Sequence, residues 1–471
     1  MTAAICWFRR DLRLKDNSAV AAAMRSADVV IPVLVLDQTQ FSASLSGEKP
    51  LAFFLATMRS LDTELRRRDS YLIVRHGDPV RALGELARQT GARAIFAQED
   101  VSPFGRQRDE KVAERLPLTL VHGISVHPSG AVVRSDGRPY TRYASFRTAW
   151  KKLPLPSATD LEHAPRFIPT PSGLSSESIP DRPALPAGVL FTPDEEEAQL
   201  RLHGFTEGED AGITRYDAHR DRLDENGTSQ LSPYLRFGML SPRQAAAAAA
   251  AAIGAAKDDA AHSGAESWLD QLIWRDFFLS ILYHFPEVLH EAFLPQMRGL
   301  PWETDERSLD AWKEGRTGYP IVDAAMRQLS QSGWIHNRAR MIVASFLVKD
   351  LLIDWKRGER WFMQQLIDGE PALNNGNWQW VAGTGADSMP HFRVFNPILQ
   401  SRKFDPRGWF IRRWLPEMDH VPEQFIHEPW TMDLHQQKAA RCRIGIDYPA
   451  PIVDHGFARM RAIELYRSRA A

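Results

Sequence analysis

Through the first 130 residues, short apolar runs alternate with longer amphipathic stretches. Ile5–Phe8, Val29–Leu36, Tyr71–Val74, Ala94–Ala97 and Leu118–Val121 are continuous apolar runs rich in β-branched residues. Helical patterns lie between them at Asn17–Arg25, Pro50–Arg67, Pro79–Gln89 and Arg106–Leu116. Strands apolar on both faces, separated by helices of this length, predict a parallel sheet covered on both sides. Residues 1–130 therefore read as a doubly wound α/β domain. After the first strand the chain reads FRRDLRL, without a G-x-G-x-x-G, so a dinucleotide pyrophosphate is not expected there.

Residues 131–193 read as a connector between domains. From Leu153 the segment is rich in Pro and Ser, which break helices and remove backbone donors. From 194 to 471 the helical period dominates, at Thr192–Leu202, Ala211–Asp221, Pro242–Ala256, Glu266–His284, Asp323–Gln331, Ile335–Asp354 and Glu359–Ile367. The alanine run Ala245–Ala252 suits a closely packed helix. The expected architecture is an α/β domain, a long linker and an all-α domain.

Composition narrows the class. With 471 residues the chain can bury a large core without staples. Lys and Arg number 58 against 59 Asp and Glu, which excludes a uniformly basic coat but not a local basic groove. Two cysteines, Cys6 and Cys442, argue against a disulfide framework or a four-cysteine zinc site and favour a reducing compartment. No apolar run approaches a membrane span, and the N-terminus lacks a secretory pattern, so a cytoplasmic protein without membrane contact is expected. The signatures of P-loop NTPases, zinc proteases and serine hydrolases are absent, and no metal is expected.

The remaining chemistry concentrates in the helical part. Thr228, Ser229, Gln230, Leu231 and Ser232 follow Gly227 and open a helix, where hydroxyls and N–H groups can hold a phosphate; a plain N-cap is the alternative. In WLDQLIWRDFF, helical spacing sets Trp268, Gln271, Leu272 and Arg275 on one face, an odd mixture for pure core. In GWIHNRARMIVA, Asn337 and Met341 face the same way while Arg338 lies round the side, and His336 reads as structural. The stretch Asp368–Asp387 (DGEPALNNGNWQWVAGTGAD) is too rich in Gly and Asn for a helix throughout, and reads as a loop-rich binding segment. From His391 to Arg407, Arg393, Arg402, Lys403 and Arg407 are interleaved with Phe392, Phe395 and Phe404, which suits a nucleic-acid surface as well as a solvated charged face.

Taken in order, ICWFRRDLRLKDN, GTSQLSPYLRFG, LIWRDFF, GRTGYPIVDAAMRQL, GWIHNRARMIVASFLVKDLLIDW and NNGNWQWVAGTGAD closely resemble the DNA photolyase and cryptochrome family over almost the whole chain. The resemblance implies an N-terminal antenna domain and a helical domain holding FAD. It implies that Tyr216 and Thr228–Ser232 cradle the FAD phosphates, and that Trp268, Gln271, Arg275, Asn337, Arg340, Asp368, Glu370 and Asn374 line the flavin pocket. Asn374 falls opposite flavin N5, where a neutral amide is the photolyase-like choice. Trp302, Trp355 and Trp378 match a tryptophan chain that carries electrons to photoexcited flavin. Trp274, Met341 and Trp380 match the walls of a lesion pocket, with Gln271 and Asn337 beside them as catalytic positions. Arg220, Arg338, Arg393 and Lys403 match phosphate contacts, so the implied partner is DNA containing pyrimidine dimers and the expected assembly is a monomer.

Residue chemistry separates the subfamilies. Neither Asn337 nor Met341 is the histidine of (6-4) enzymes, Trp380 is not the tyrosine of the DASH group, and Asn374 is not the aspartate of plant cryptochromes. The chain thus resembles a microbial class I cyclobutane pyrimidine dimer photolyase, a light-driven carbon–carbon lyase. Two departures stand out. Gln271 replaces the usual glutamate, so it offers an N–H but no transferable proton. Phe104-Gly105 replaces the Asn-Glu pair of folate-type relatives, so a deazaflavin-type antenna or none is expected. The rival function is a cryptochrome-like blue-light photoreceptor without repair.

Overall fold

The computed structural model describes residues 1–37, 47–208, 211–388 and 393–470. β1 (Ala3–Phe8), β2 (Val29–Leu36), β3 (Ile73–His76), β4 (Ala94–Gln98) and β5 (Leu118–Val121) form one parallel sheet in the order β3-β2-β1-β4-β5. Ile5 lies opposite Ile31 on one side and Ile95 on the other. Alternate residues of β1 serve two cores. Ala4, Cys6 and Phe8 face a cluster that continues into the helical half through Leu272 and Phe277. Ala3, Ile5 and Trp7 face a second cluster with Leu83, Leu86 and Val112. That double burial is why the strands show no polar alternation.

α1 (Ser18–Ser26), α2 (Glu48–Arg66), α3 (Pro79–Thr90) and α4 (Pro103–Ala113) cover the sheet. β3 begins two residues later than the apolar run, because the Leu72 N–H donates to Asp62 and the Tyr71 hydroxyl to Pro171 O. The connector carries α5 (Tyr143–Trp150) and then runs mostly irregularly over the α/β half. It is held there by backbone bonds from Val30 N to Pro169 O and from Glu177 N to Val74 O. Cys6 and Cys442 are buried and unpaired.

The helical half contains α6 (Glu195–Thr206), α7 (Tyr216–His219), α8 (Ser232–Phe237), α9 (Pro242–Gly254), α10 (Asp259–His284), α11 (Glu306–Lys313), α12 (Pro320–Ser332), α13 (Asn337–Ser345), α14 (Trp355–Gln365), α15 (Pro371–Ala382), α16 (Pro397–Phe404), α17 (Trp409–Trp414), α18 (Leu434–Ala439) and α19 (His455–Ala470). The alanine run forms α9, with Ala245, Ala246 and Ala249 wholly buried. Among the described residues, no helix is long and apolar enough to cross a membrane.

Three expectations about local structure need correction. The segment Ala211–Asp221 is not one helix but a 3-10 turn (Gly212–Arg215) followed by α7. Its carbonyls approach Gly264 of α10 so closely that a Cβ there would lie 2.5 Å from Thr214 O. Ile335–Asp354 is likewise interrupted: α13 passes into a π-helical turn at Phe346–Asp350, a form often found at functional sites. Most consequentially, the stretch expected to be loop-rich contains α15. Pro371 starts it, Gly383 ends it in the left-handed region at φ 77°, and packing overrides the poor propensities between. Gly376 is required inside it, since a Cβ would lie 2.2 Å from the Phe278 ring of α10.

Candidate functional site

That close approach of α10 and α15 brings the two chemistry-rich helices together. Beside them, the hydroxyl-rich segment before α8 is shaped by Gln230 in the left-handed region at φ 52°. The N-cap of α8 is Leu231, which provides no side-chain cap, so the serines are not used as caps. Ser229 Oγ instead accepts from Trp268 Nε1 at 3.3 Å, and Ser232 Oγ accepts from Trp334 Nε1 at 3.1 Å. Each serine keeps its own hydroxyl proton free for an anion. Buried Tyr216 stands edge-on to Phe205, which packs on Trp268 in turn. Trp334 was not anticipated, although it lies next to the residues singled out in GWIHN.

The deeper part is acidic and basic at once. Arg340 donates to Asp368 Oδ2 at 2.7 Å and to Ile335 O at 3.0 Å. Glu370 pairs with Arg10 and, at 3.4 Å, with Arg236, neither of which sequence patterns pointed to. Among the described residues, Asp368 Oδ1 and Glu370 Oε1 are buried without a donor, and Asn375 Nδ2 without an acceptor. Buried carboxylate oxygens rarely stay unmatched, and they suit the N–H groups of a heterocyclic ligand. This set of buried acceptors and donors is one that FAD would fit.

Asn374 is buried on α15 and donates to Glu359 O at 2.9 Å. Burial pushes the Glu359 carboxyl up to about 7, with the Asn374 amide pulling it down. Arg275 is turned toward the α/β half, donating to Ile124 O at 2.6 Å, and burial draws its guanidinium down to about 10. His336 is structural, as expected: Nδ1 accepts from Arg338 N at 3.1 Å at the start of α13, and burial lowers the ring to about 4.

The three tryptophans come into one core. Trp378 and Trp355 are buried in it, and Trp302 is packed against it. Trp378 rests on α14 where a Cβ at Gly358 would meet its ring at 2.2 Å, and Trp355 lies one turn before Gly358 on the same face. Next to Trp302, Glu303 bridges to Ile353 and its N–H donates to Leu352 O at 2.8 Å, two and three residues from Trp355. Packing thus leads from Trp378 through Gly358 to Trp355, and the Glu303–Ile353 bridge brings Trp302 toward the same segment.

On the outer side, half-buried Gln271 donates one amide N–H to Ser267 O at 3.1 Å, and Ser267 Oγ accepts from Arg220 at 3.1 Å. Gln271 and Arg220 therefore share one hydroxyl-bearing residue. Exposed Asn337 and half-buried Met341 touch at 4.0 Å between Nδ2 and Sδ. Trp274 is half-buried, and Trp380 is half-buried against the core of the tryptophan path. Arg338 forms a bidentate pair with Asp221, at 2.6 and 3.2 Å, and lies 4.5 Å over the Phe404 ring. Lys403 lies over the same ring at 5.1 Å, and Arg393 over Phe395 at 5.8 Å. His391 and Phe392, expected in this surface, fall outside the described residues.

A five-stranded parallel-sheet half joined to a helical half with this buried polar site defines a two-part α/β and all-α class of fold. Residues 4–166 match the DNA photolyase family, and residues 268–468 match the FAD binding domain of DNA photolyase. The Escherichia coli deoxyribodipyrimidine photo-lyase is 38% identical, covering 99% of each chain. Among solved structures, a class III photolyase from Agrobacterium tumefaciens superposes with a TM-score of 0.91 at 35% identity, covering 100% of this chain and 98% of its own. The Synechocystis cryptochrome gives 0.88 at 27% identity, covering 99% of each. The chain belongs to the DNA photolyase family.

Proposed function

We propose that the chain is a deoxyribodipyrimidine photo-lyase of the class I type that repairs cyclobutane pyrimidine dimers in DNA under blue light. The observation that carries this reading is α15, which holds Asn374 and Trp378 one turn apart on one face, both buried and both against α14. Reduced FAD, when bound, supplies the light-driven electron. Ser229, Ser232, Arg340, Asp368 and Glu370 would hold it, and Asn374 would offer it a neutral amide. Trp378, Trp355 and Trp302 are readily oxidised rings that would serve as electron donors toward the cofactor.

The dimer leaves the helix stack more cheaply than an intact pair, because its pairing is already damaged. Trp274, Met341 and Trp380 receive it, and Gln271 and Asn337 offer amide groups to its carbonyls. Arg220, Arg338, Arg393 and Lys403 contact phosphates, with Arg338 exchanging Asp221 for the strand. A deazaflavin-type antenna or none, in preference to a folate, fits Gly105, where a Cβ would lie 2.3 Å from Asp100 Cγ. Asp100 also lines a narrow cleft between the two halves together with Arg9, Arg13 and Arg275.

Gln271 favours a second reading, a photoreceptor that reduces its flavin without repair, because one of its amide protons is committed to Ser267 O. Incubating a defined thymine-dimer oligonucleotide with the reduced protein, under blue light and in the dark, separates the two. Loss of dimers in the light alone supports repair, and none in either supports the photoreceptor.

A further inference from the structure

The turn between α16 and α17 is built from both sides. Asp405 is fully buried, and its two carboxylate oxygens accept from Phe410 N and Ile411 N, each at 3.0 Å. Arg412 reaches back to donate to Arg407 O at 2.6 Å, Gly408 O at 3.4 Å and Val421 O at 2.7 Å. Gly408 sits at φ 68°, and a Cβ there would lie 2.5 Å from Ile426 Cγ1. The backbone of the turn is thereby satisfied and fixed in place before any partner arrives.

What this rigid turn presents to water is an indole and a guanidinium. Trp409 is 54% exposed, and the Arg407 guanidinium lies over its ring at 5.2 Å. A large apolar ring left in water gains from being covered. Arg402 pairs with Glu428 and Arg338 with Asp221, whereas Arg393, Lys403 and Arg407 have no carboxylate within bridging distance among the described residues. Arg407 follows Phe404 by three positions, so it lies within about 11 Å of it along the chain. A strip of cations and rings therefore runs from Arg338 over Phe404 and Lys403 to Arg407 and Trp409.

We infer that Arg407 and Trp409 form a second DNA contact outside the lesion pocket, gripping the damaged strand a few nucleotides from the dimer. The inference rests on the reading of the chain as a repair enzyme for DNA. Arg407 takes a phosphate, and Trp409 stacks on a flanking base loosened by extrusion of the dimer. Charge favours a polyanion, and an indole stacks on any base without sequence preference. Affinity then depends on DNA length, beyond what the pocket alone explains.

The test uses the FAD-loaded full chain and dark binding to a central thymine dimer in a 20-base-pair duplex and in a four-nucleotide single strand. Trp409→Ala and Arg407→Ala should each weaken binding to the duplex by about fivefold or more while leaving the short strand unchanged. Trp409→Phe should retain most of the affinity, and Arg407→Ala should reduce the slope of log K against log salt by about 0.9. Unchanged duplex affinity in variants of a protein that still selects damaged DNA overturns the inference alone. Equal losses on duplex and short strand also overturn it, because the contact would then belong to the pocket. If the unaltered protein shows no preference for the dimer, the repair reading falls and this inference with it.

Discussion

Tyr143 and Trp274 lie ring on ring, with centroids 3.6 Å apart and planes 5° from parallel. The phenol is anchored by a hydrogen bond from its hydroxyl to Asp270 O at 3.1 Å, one turn before Trp274 on α10. The connector helix α5 thus fixes the ring proposed as a wall of the lesion pocket, with Phe277 and Phe278 packed beside it. Ring stacking of this kind is worth about 0.5–1.5 kcal/mol beyond area burial. Tyr143→Ala should lower the ratio of affinities for dimer-containing and intact DNA by about three- to tenfold, whereas Tyr143→Phe should keep it. An unchanged ratio in the alanine variant, with FAD loading matched, means that Trp274 is positioned without the stack.

Trp378 is the member of the tryptophan path that shares a helix with Asn374. Trp378→Phe keeps an aromatic ring against Phe362, which now meets the indole at 5.0 Å, but removes the readily oxidised group. FAD should remain bound, while its photoreduction by blue light with a thiol slows greatly. Photoreduction at the unaltered rate sends the electron route elsewhere.

How far these features could be read from the chain differs by kind. The sheet was legible because β1 and β2 are apolar on both faces, a local property of each run. The family was legible through long ordered motifs. α15 was not, because its Asn and Gly residues are poor helix formers and their reason lies in another element: the ring of Phe278 occupies the space a side chain at position 376 would need. The pairing of Arg10 with Glu370 spans 360 positions, so no local pattern announces it. Tyr143 lay in a segment read only as connector, and its role exists only once α5 meets α10.

Gln271 leads to a prediction about chemistry separable from binding. After electron transfer the dimer carries extra negative charge, best met by a donor aimed at where that charge develops. The Gln271 amide has one N–H left for this, since the other is on Ser267 O. A protonated carboxyl offers a stronger bond and a transferable proton. Gln271→Glu should raise repair per absorbed photon with little change in DNA affinity. Equal or lower yield in that variant means that this position does not limit ring splitting.

Lys349, in the π-helical turn, is wholly buried, with Ala382 O at 3.3 Å and the Tyr466 ring at 3.3 Å as its contacts. Burial draws its ammonium down to about 7. An unfolded lysine titrates near about 10.4, so between these values the unfolded chain holds the extra proton and stability rises with pH. Each pH unit in that window is worth up to about 1.4 kcal/mol. Lys349→Met removes this titration, while the neighbouring Asp350–His455 pair remains in both proteins. The melting temperature of the unaltered protein should therefore gain on that of the variant between pH 7 and pH 9. Parallel profiles across that range contradict a buried, largely unpaired ammonium.

The central claim is light-driven repair of pyrimidine dimers, and the most direct measurement is the number of dimers split per photon absorbed. The protein, loaded with FAD and reduced, is mixed with an oligonucleotide carrying one thymine dimer and illuminated with blue light, with a dark sample alongside. The account predicts restoration of thymine absorbance in the light, none in the dark, and a yield that rises in Gln271→Glu. No restoration in either protein, with FAD bound and the dimer-containing DNA bound, contradicts it.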